Sequence, residues 1–203
     1  MKKKILISQR LDKIGQYKEL RDNIDLRFVQ LVEKIGCVPI LIPNKIEKTT
    51  QYLKILKPDG VILTGGGNPY EKGLRKKTEI NLINYAIKKR LSLLGICRGA
   101  QSINLYFKGK LNKIKNHVRK KHYIKGELFN DKIRFKVNSY HNYGIKTKNL
   151  GKNLKTLLRA DDDSIEAFYS KNKKILGIMW HPERERKIQK INLKILKNFF
   201  KCT

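Results

Sequence analysis

Cys97 stands between a short apolar run, Leu91-Ser92-Leu93-Leu94-Gly95-Ile96, and a segment of helical spacing, Arg98 to Phe107. A thiol at such a strand-to-helix junction points out of a tight elbow, where free helix N-terminal N–H groups favour both a thiolate and the oxyanion it creates. Gly95 and Gly99 let the backbone make that turn. A thiol nucleophile needs a base. His181 directly follows the buried run Leu176 to Trp180, which delivers its imidazole to the same carboxyl edge of a sheet as Cys97. Glu183, across Pro182, is placed to hold the imidazole's tautomer and orientation. Together the three support acyl transfer through a thioester. Singly, each has an ordinary explanation: a lone cysteine is commonly a small buried hydrophobe, and Glu183 lies in a charge run with Arg184, Glu185 and Arg186.

The elements that must position these groups follow from periodicity. Lys4 to Ser8 and Val38 to Pro43 are short apolar runs, with Leu26, Val29, Leu31, Val32 and Ile35 between them at helical spacing, which predicts a β-α-β unit with Gly36 behind the helix end. Ile46 to Leu56 reads as a helix, Gly60 to Thr64 as a buried strand, and Gly65-Gly66-Gly67-Asn68-Pro69 as a loop. A helix over Glu79 to Lys89 precedes the strand that ends at Cys97. From His117 to Tyr143 the pattern changes to short alternating runs, as in antiparallel strands; Ile165 to Tyr169 and Ile175 to Trp180 continue the sheet, and Ile188 to Phe200 closes with a helix. The expectation is a three-layer α/β sandwich around a mostly parallel sheet with a small antiparallel extension, formed by one domain, residues 1–203.

With 203 residues, 40% hydrophobic and 32% charged, the composition excludes a disordered chain. No apolar run approaches the roughly 20 residues that span a bilayer, and the run after Met1-Lys2-Lys3-Lys4 is too short for a signal peptide, so the cytoplasm is expected. Three cysteines, Cys37, Cys97 and Cys202, are an odd number without repeated spacing, which predicts reduced thiols. The net charge of +30 admits a field that draws anionic substrates or polyanions, and equally a lysine enrichment scattered over the surface. His117 and His122 flank Val118-Arg119-Lys120-Lys121; a basic solvated loop is the first reading and a phosphate site the second. No metal is expected, because no two histidines share a helical or strand spacing with a third ligand, and no cofactor is called for.

Four separated motifs add a resemblance. Leu63-Thr64-Gly65-Gly66-Gly67, Gly95-Ile96-Cys97-Arg98-Gly99-Ala100-Gln101, Val137-Asn138-Ser139-Tyr140-His141 and Trp180-His181-Pro182-Glu183 occur in an order that resembles the class I glutamine amidotransferases, whose fold is flavodoxin-like, and specifically their γ-glutamyl hydrolase branch. The resemblance covers nearly the whole chain. It implies an oxyanion hole from the backbone of Gly66 or Gly67 and of Arg98, and a glutamyl pocket formed by Gln101 and the Ser139-Tyr140 backbone, with His141 lining it. It further implies a small-molecule γ-glutamyl amide as substrate. Within the branch, the chain is similar to hydrolases of a γ-glutamyl amide whose nitrogen carries cytidine diphosphate, which yield glutamate and cytidine diphosphoramidate for bacterial capsule modification.

Two departures bear on the leaving group. Relatives that cleave γ-glutamyl amines commonly carry His-Gln where this chain has Asn142-Tyr143, and the usual Gly-Gly after the nucleophile helix is reduced to Lys108-Gly109-Lys110. The alternatives are therefore hydrolysis of γ-glutamyl-γ-aminobutyrate or another γ-glutamyl amine, the glutaminase subunit of a synthetase, and, from another class, a basic nucleic-acid-binding protein on an inherited scaffold. A positively charged pocket lined by Arg119 to Lys121 would weigh against a simple amine. An intact triad and the lack of a nucleic-acid module weigh against the last.

Overall fold

A strand apolar on consecutive residues, such as Lys4-Ile5-Leu6-Ile7-Ser8, has nowhere to put both of its faces except inside, with helices covering each side. The computed structural model describes all residues but 46, 129, 130, 171, 173 and 203. In chain order the elements are β1 (Lys4–Ser8), β2 (Arg10–Ile14), β3 (Glu19–Asn23), α1 (Leu26–Lys34), β4 (Val38–Ile42), α2 (Thr49–Leu56), β5 (Gly60–Leu63), α3 (Leu74–Lys89), β6 (Ser92–Ile96) and α4 (Arg98–Tyr106). There follow β7 (Asn112–Lys113), β8 (Val118–Leu128), β9 (Asp131–Tyr140), β10 (Tyr143–Gly144), β11 (Lys155–Ala160), β12 (Ile165–Ser170), β13 (Ile175–Ile178) and α5 (Lys190–Phe200).

The main sheet runs β4-β1-β5-β6-β13-β12-β11-β8-β9. From β4 to β13 the neighbours are parallel, and from β13 to β9 they are antiparallel. Alternation along each strand feeds two cores. Ile5, Ile7, Ile62, Leu94 and Ile96 pack with Leu31 and Val32 of α1 and Ile195 and Leu196 of α5 on one face. Leu6, Val61, Leu63 and Leu93 pack with Leu53 of α2, Leu82 and Ile83 of α3 and Ile103 of α4 on the other. This is the expected three-layer α/β sandwich with its antiparallel extension.

Element boundaries differ from the periodicity where polar residues hide structure. The hairpin β2–β3 has no buried residue and is mostly charged, so no apolar pattern announces it. The strand β11 is likewise absent from the sequence reading. α3 begins at Leu74, earlier than the expected Glu79, because its first turns carry charges that are buried by pairing. The expected start of the second helix, Ile46, lies outside the described residues, and the helix runs Thr49–Leu56. One chemical expectation fails: Cys37 and Cys202 are joined in a disulfide across 165 residues, leaving Cys97 as the free cysteine. Spacing could not reveal the pair, since only tertiary packing brings the chain after α5 to the chain before β4. Among the described residues no helix is long and apolar enough to cross a membrane.

Candidate active site

The strand β6 hands the chain to α4 through a single residue, Cys97, at φ 52° and ψ −106°. This conformation is costly for a residue with a side chain, and the surrounding packing enforces it. A Cβ on Gly99 would collide with the Leu63 carbonyl oxygen, and one on Gly95 would stand 2.6 Å from the Ala100 nitrogen, so the elbow closes only with glycine at both positions. Cys97 is 6% exposed, and its own N–H donates to the Ile178 carbonyl at 2.8 Å, locking β6 to β13 at the point where the nucleophile emerges. No side chain caps α4, which leaves its first-turn N–H groups facing the sulfur.

From the neighbouring strand β13, Met179 and Trp180 carry the chain to His181, which is 1% exposed. The amide side chain of Asn138 on β9 clamps its backbone: the His181 N–H donates to Asn138 Oδ1 at 2.9 Å, and Asn138 Nδ2 donates to the His181 carbonyl at 2.7 Å. His181 Nδ1 lies 2.6 Å from Glu183 Oε1, so the carboxylate accepts from Nδ1–H and leaves Nε2 for the hydrogen bond with Cys97. Burial alone would lower the imidazole's pKa. The Cys97 sulfur and the Glu183 carboxylate outweigh that and raise it from 6.5 to about 9. Tyr140 sets its ring edge-on to the imidazole at 5.6 Å, and the Arg184 guanidinium lies over the Tyr140 ring at 4.8 Å.

A cavity of about 330 Å³ opens in front of the sulfur, walled by Gly66, Gly67, Arg98, Gln101, Tyr140 and His141, with Asn68, Tyr143 and Arg184. Gly66 and Gly67 have φ of 82° and 83°, which only glycine adopts freely. A Cβ on Gly65 would meet His181 Cε1 at 2.7 Å. The loop is strapped by Arg75, whose guanidinium donates to the carbonyls of Thr64, Gly65 and Gly66. Arg75 is in turn paired with the buried Glu79, which also accepts from Arg98 and Ser102. The Arg98 side chain is therefore committed to Glu79 and to the Asn68 carbonyl.

The expected residues thus converge, with one exception. Ser139, expected to contribute its backbone, is not among the residues that wall the cavity, and its buried hydroxyl donates to the His117 carbonyl at 2.6 Å. Gln101 lines the wall with its amide nitrogen committed to the Tyr143 carbonyl at 2.8 Å. The reading of His117 and His122 as a basic solvated loop does not hold, and their spacing along the chain does not keep them apart. Both rings turn inward and, with Glu166, bring ligand atoms within 4.8 Å of one another. Sequence reasoning misses Arg184, which is legible only as one charge in a run.

Comparison with known proteins places this geometry. The structure superposes on a glutamine amidotransferase from Thermotoga maritima with a TM-score of 0.69, covering 99% of this chain and 85% of that one at 16% identity, a likeness of fold. The fold is that of the class I glutamine amidotransferases. The model of the Peptidase C26 family matches residues 6–183, and the chain belongs to that family. It is 36% identical to the γ-glutamyl-CDP-amidate hydrolase of Campylobacter jejuni, over 96% of each chain. It is also 29% identical to a glutamine-hydrolyzing GMP synthase component from Methanocaldococcus jannaschii, over 94% of each.

Proposed function

We propose that residues 1–203 act as one catalytic domain that hydrolyses a γ-glutamyl amide, with Cys97 as nucleophile, His181 as acid and base, and Glu183 orienting it. The observation that carries this reading is the Glu183–His181–Cys97 relay at the mouth of a glycine-walled cavity. Cys97 thiolate adds to the γ-carbonyl carbon, and the resulting oxyanion is held by N–H groups of Arg98 and the Gly66-Gly67 loop; each such donor typically contributes about 3 kcal/mol. The C–N bond breaks as His181 gives its proton to the departing nitrogen, leaving a γ-glutamyl thioester. Water then loses a proton to His181 and displaces the thiol, and glutamate departs.

The leaving group we assign is a cytidine diphosphate carried on the amide nitrogen, with cytidine diphosphoramidate as second product. Two features support it. The similarity to the C. jejuni hydrolase runs end to end. A groove of about 340 Å³, lined by Lys121, Lys136, Arg184, Arg186 and Lys187 together with Glu185, shares Tyr140 and Arg184 with the wall of the catalytic cavity. Cationic side chains of this kind bind diphosphate by charge-assisted hydrogen bonds. Of the stretch Arg119 to Lys121, only Lys121 reaches this groove. The test is glutamate release by wild type and Cys97→Ala from glutamine, γ-glutamyl-γ-aminobutyrate and the CDP-amidate of glutamine. The expected result is preference for the nucleotide, abolished in the variant. Preference for the simple amine would leave the chemistry and remove the substrate; equal inertness of both proteins on all three would remove the nucleophile.

A second reading, a glutaminase delivering ammonia to a partner synthetase, draws on the similarity to the GMP synthase component. It predicts glutamine as the preferred substrate, with turnover raised by that partner.

A further inference from the structure

Behind the wall that His141 presents to the catalytic cavity, three imidazoles converge on one carboxylate. Glu166 on β12 is fully buried, yet neither of its oxygens has a hydrogen-bond partner among the described residues. His117 Nδ1 and His141 Nε2 each lie 3.5 Å from Glu166 Oε1, and His122 Nε2 lies 3.5 Å from Oε2. The ring centroid of His117 is 4.6 Å from that of His122 and 5.0 Å from that of His141. We propose that His117, His122, His141 and Glu166 bind a divalent transition-metal ion, with Zn2+ as the ion the donor set suits.

Three features lead there. The first is spacing. An N–H···O hydrogen bond is about 2.9 Å long, so contacts of 3.5 Å repeated at three imidazoles are poor hydrogen bonds. Donor atoms around a tetrahedral zinc with bonds of about 2.05 Å stand roughly 3.3 Å apart, close to the 3.5 Å between each imidazole nitrogen and the carboxylate.

The second is the outer partner of each ring. His141 Nδ1 is 3.1 Å from the Tyr143 carbonyl oxygen, which can only accept, so Nδ1 carries the hydrogen and Nε2 is the ring atom turned toward the carboxylate. His117 Nε2 is 3.3 Å from Asp162 Oδ2, and its Nδ1 faces both Glu166 Oε1 and the Ser139 hydroxyl, each at 3.5 Å. A carbonyl or carboxylate behind the ring is the usual support of a metal-ligating histidine. A cation between the ring nitrogens and the carboxylate would be ligated by both. Imidazole nitrogens and a carboxylate match zinc in ligand type, and the donor atoms of His117, His122 and Glu166 lie within 4.8 Å of one another, with His141 Nε2 beside Glu166 Oε1.

The third is a backbone irregularity. Residues 117 and 122 are five apart, so a regular strand would send them to opposite faces. The β8–β9 register instead pairs Val118 with Tyr140 and Lys120 with Ser139, leaving Arg119, at φ 52°, as the extra residue of a bulge. The bulge restores His117 and His122 to one face, over Glu166. Bulges commonly re-aim a side chain in this way.

An ion there joins the start of β8, the end of β9 and β12. It thereby fixes the Tyr140-His141 segment that walls the catalytic cavity. The experiment uses the full chain as wild type and as Cys97→Ala, the latter removing the free thiol as a competing ligand. Each is stripped with chelator, incubated with Zn2+ or Co2+ and desalted, and the metal is counted by mass spectrometry. One ion per chain in both proteins is expected, with the visible absorption of tetrahedral Co2+. His122→Ala, whose circular dichroism should match wild type, is expected to weaken Zn2+ binding by more than about 100-fold, and Asp162→Asn by roughly 10-fold. Failure of wild type to retain more than traces, or equal retention by a folded His122→Ala, would overturn the site, whatever the substrate assays give.

Discussion

Burial, in water's absence, would make His181 a neutral imidazole; the neighbouring sulfur and the Glu183 carboxylate hold it charged, with a pKa raised to about 9. Two consequences belong to this residue. The imidazolium is the acid that releases the leaving nitrogen, so kcat/KM should fall as pH rises through about 9. Glu183→Gln should move that limb toward lower pH and reduce kcat roughly 100-fold or more, because the ring loses both charge and orientation; a pH-rate profile of the two proteins checks it. For stability the sign is that of a raised folded-state pKa. The contribution is fully present below 6.5, the ordinary value, and is lost as pH rises through about 9. Denaturant midpoints across that window should decline in wild type and decline less in Cys97→Ala, where one of the groups that raise the imidazole is gone.

Elements position these residues by contacts that a sequence reader would file as surface charge. The loop after β5 keeps its shape because Arg75, from the first turns of α3, reaches back to three of its carbonyls, and Glu79 on the next turn holds both Arg75 and Arg98. Burial pulls the Arg75 guanidinium down to about 10, with Glu79 opposing the shift, so the carboxylate is what makes the burial tolerable. Glu79→Ala leaves two buried guanidinium groups unpaired. It should cost about 3–5 kcal/mol and lower Tm by roughly 10 °C, with the loss of activity exceeding the loss of folded protein. Thermal melts alongside specific activity at a temperature where the variant is folded separate the two effects. This strap is invisible in the sequence because Arg75-Lys76-Lys77 carries no apolar stripe, and periodicity accordingly places the start of α3 too late.

At the scale of the whole molecule, the Cys37–Cys202 bond ties the entry to β4 to the end of α5 and closes a loop of 165 residues. Chain entropy sets its contribution at about 5 kcal/mol at most, so Cys202→Ser should lower Tm by no more than roughly 10 °C. Thiol titration of the unfolded, unreduced chain should find Cys97 alone; three reactive thiols would mean the pair does not form. The net charge of +30 is only partly organised: five of its cations line the groove beside the catalytic cavity. The amino-acid sequence alone determined the parallel layers, the Cys97 elbow and the His181-Pro182-Glu183 segment. These rest on local periodicity and on glycines at close approaches, both written within a few residues. Tertiary structure decided what depends on distant chain: the disulfide, the Arg75–Glu79–Arg98 strap, the absence of Ser139 from the cavity wall, and the gathering of His117, His122, His141 and Glu166. Each needs separate strands or helices packed in one register, and for the histidines a single extra residue at Arg119 reverses the face that spacing predicts.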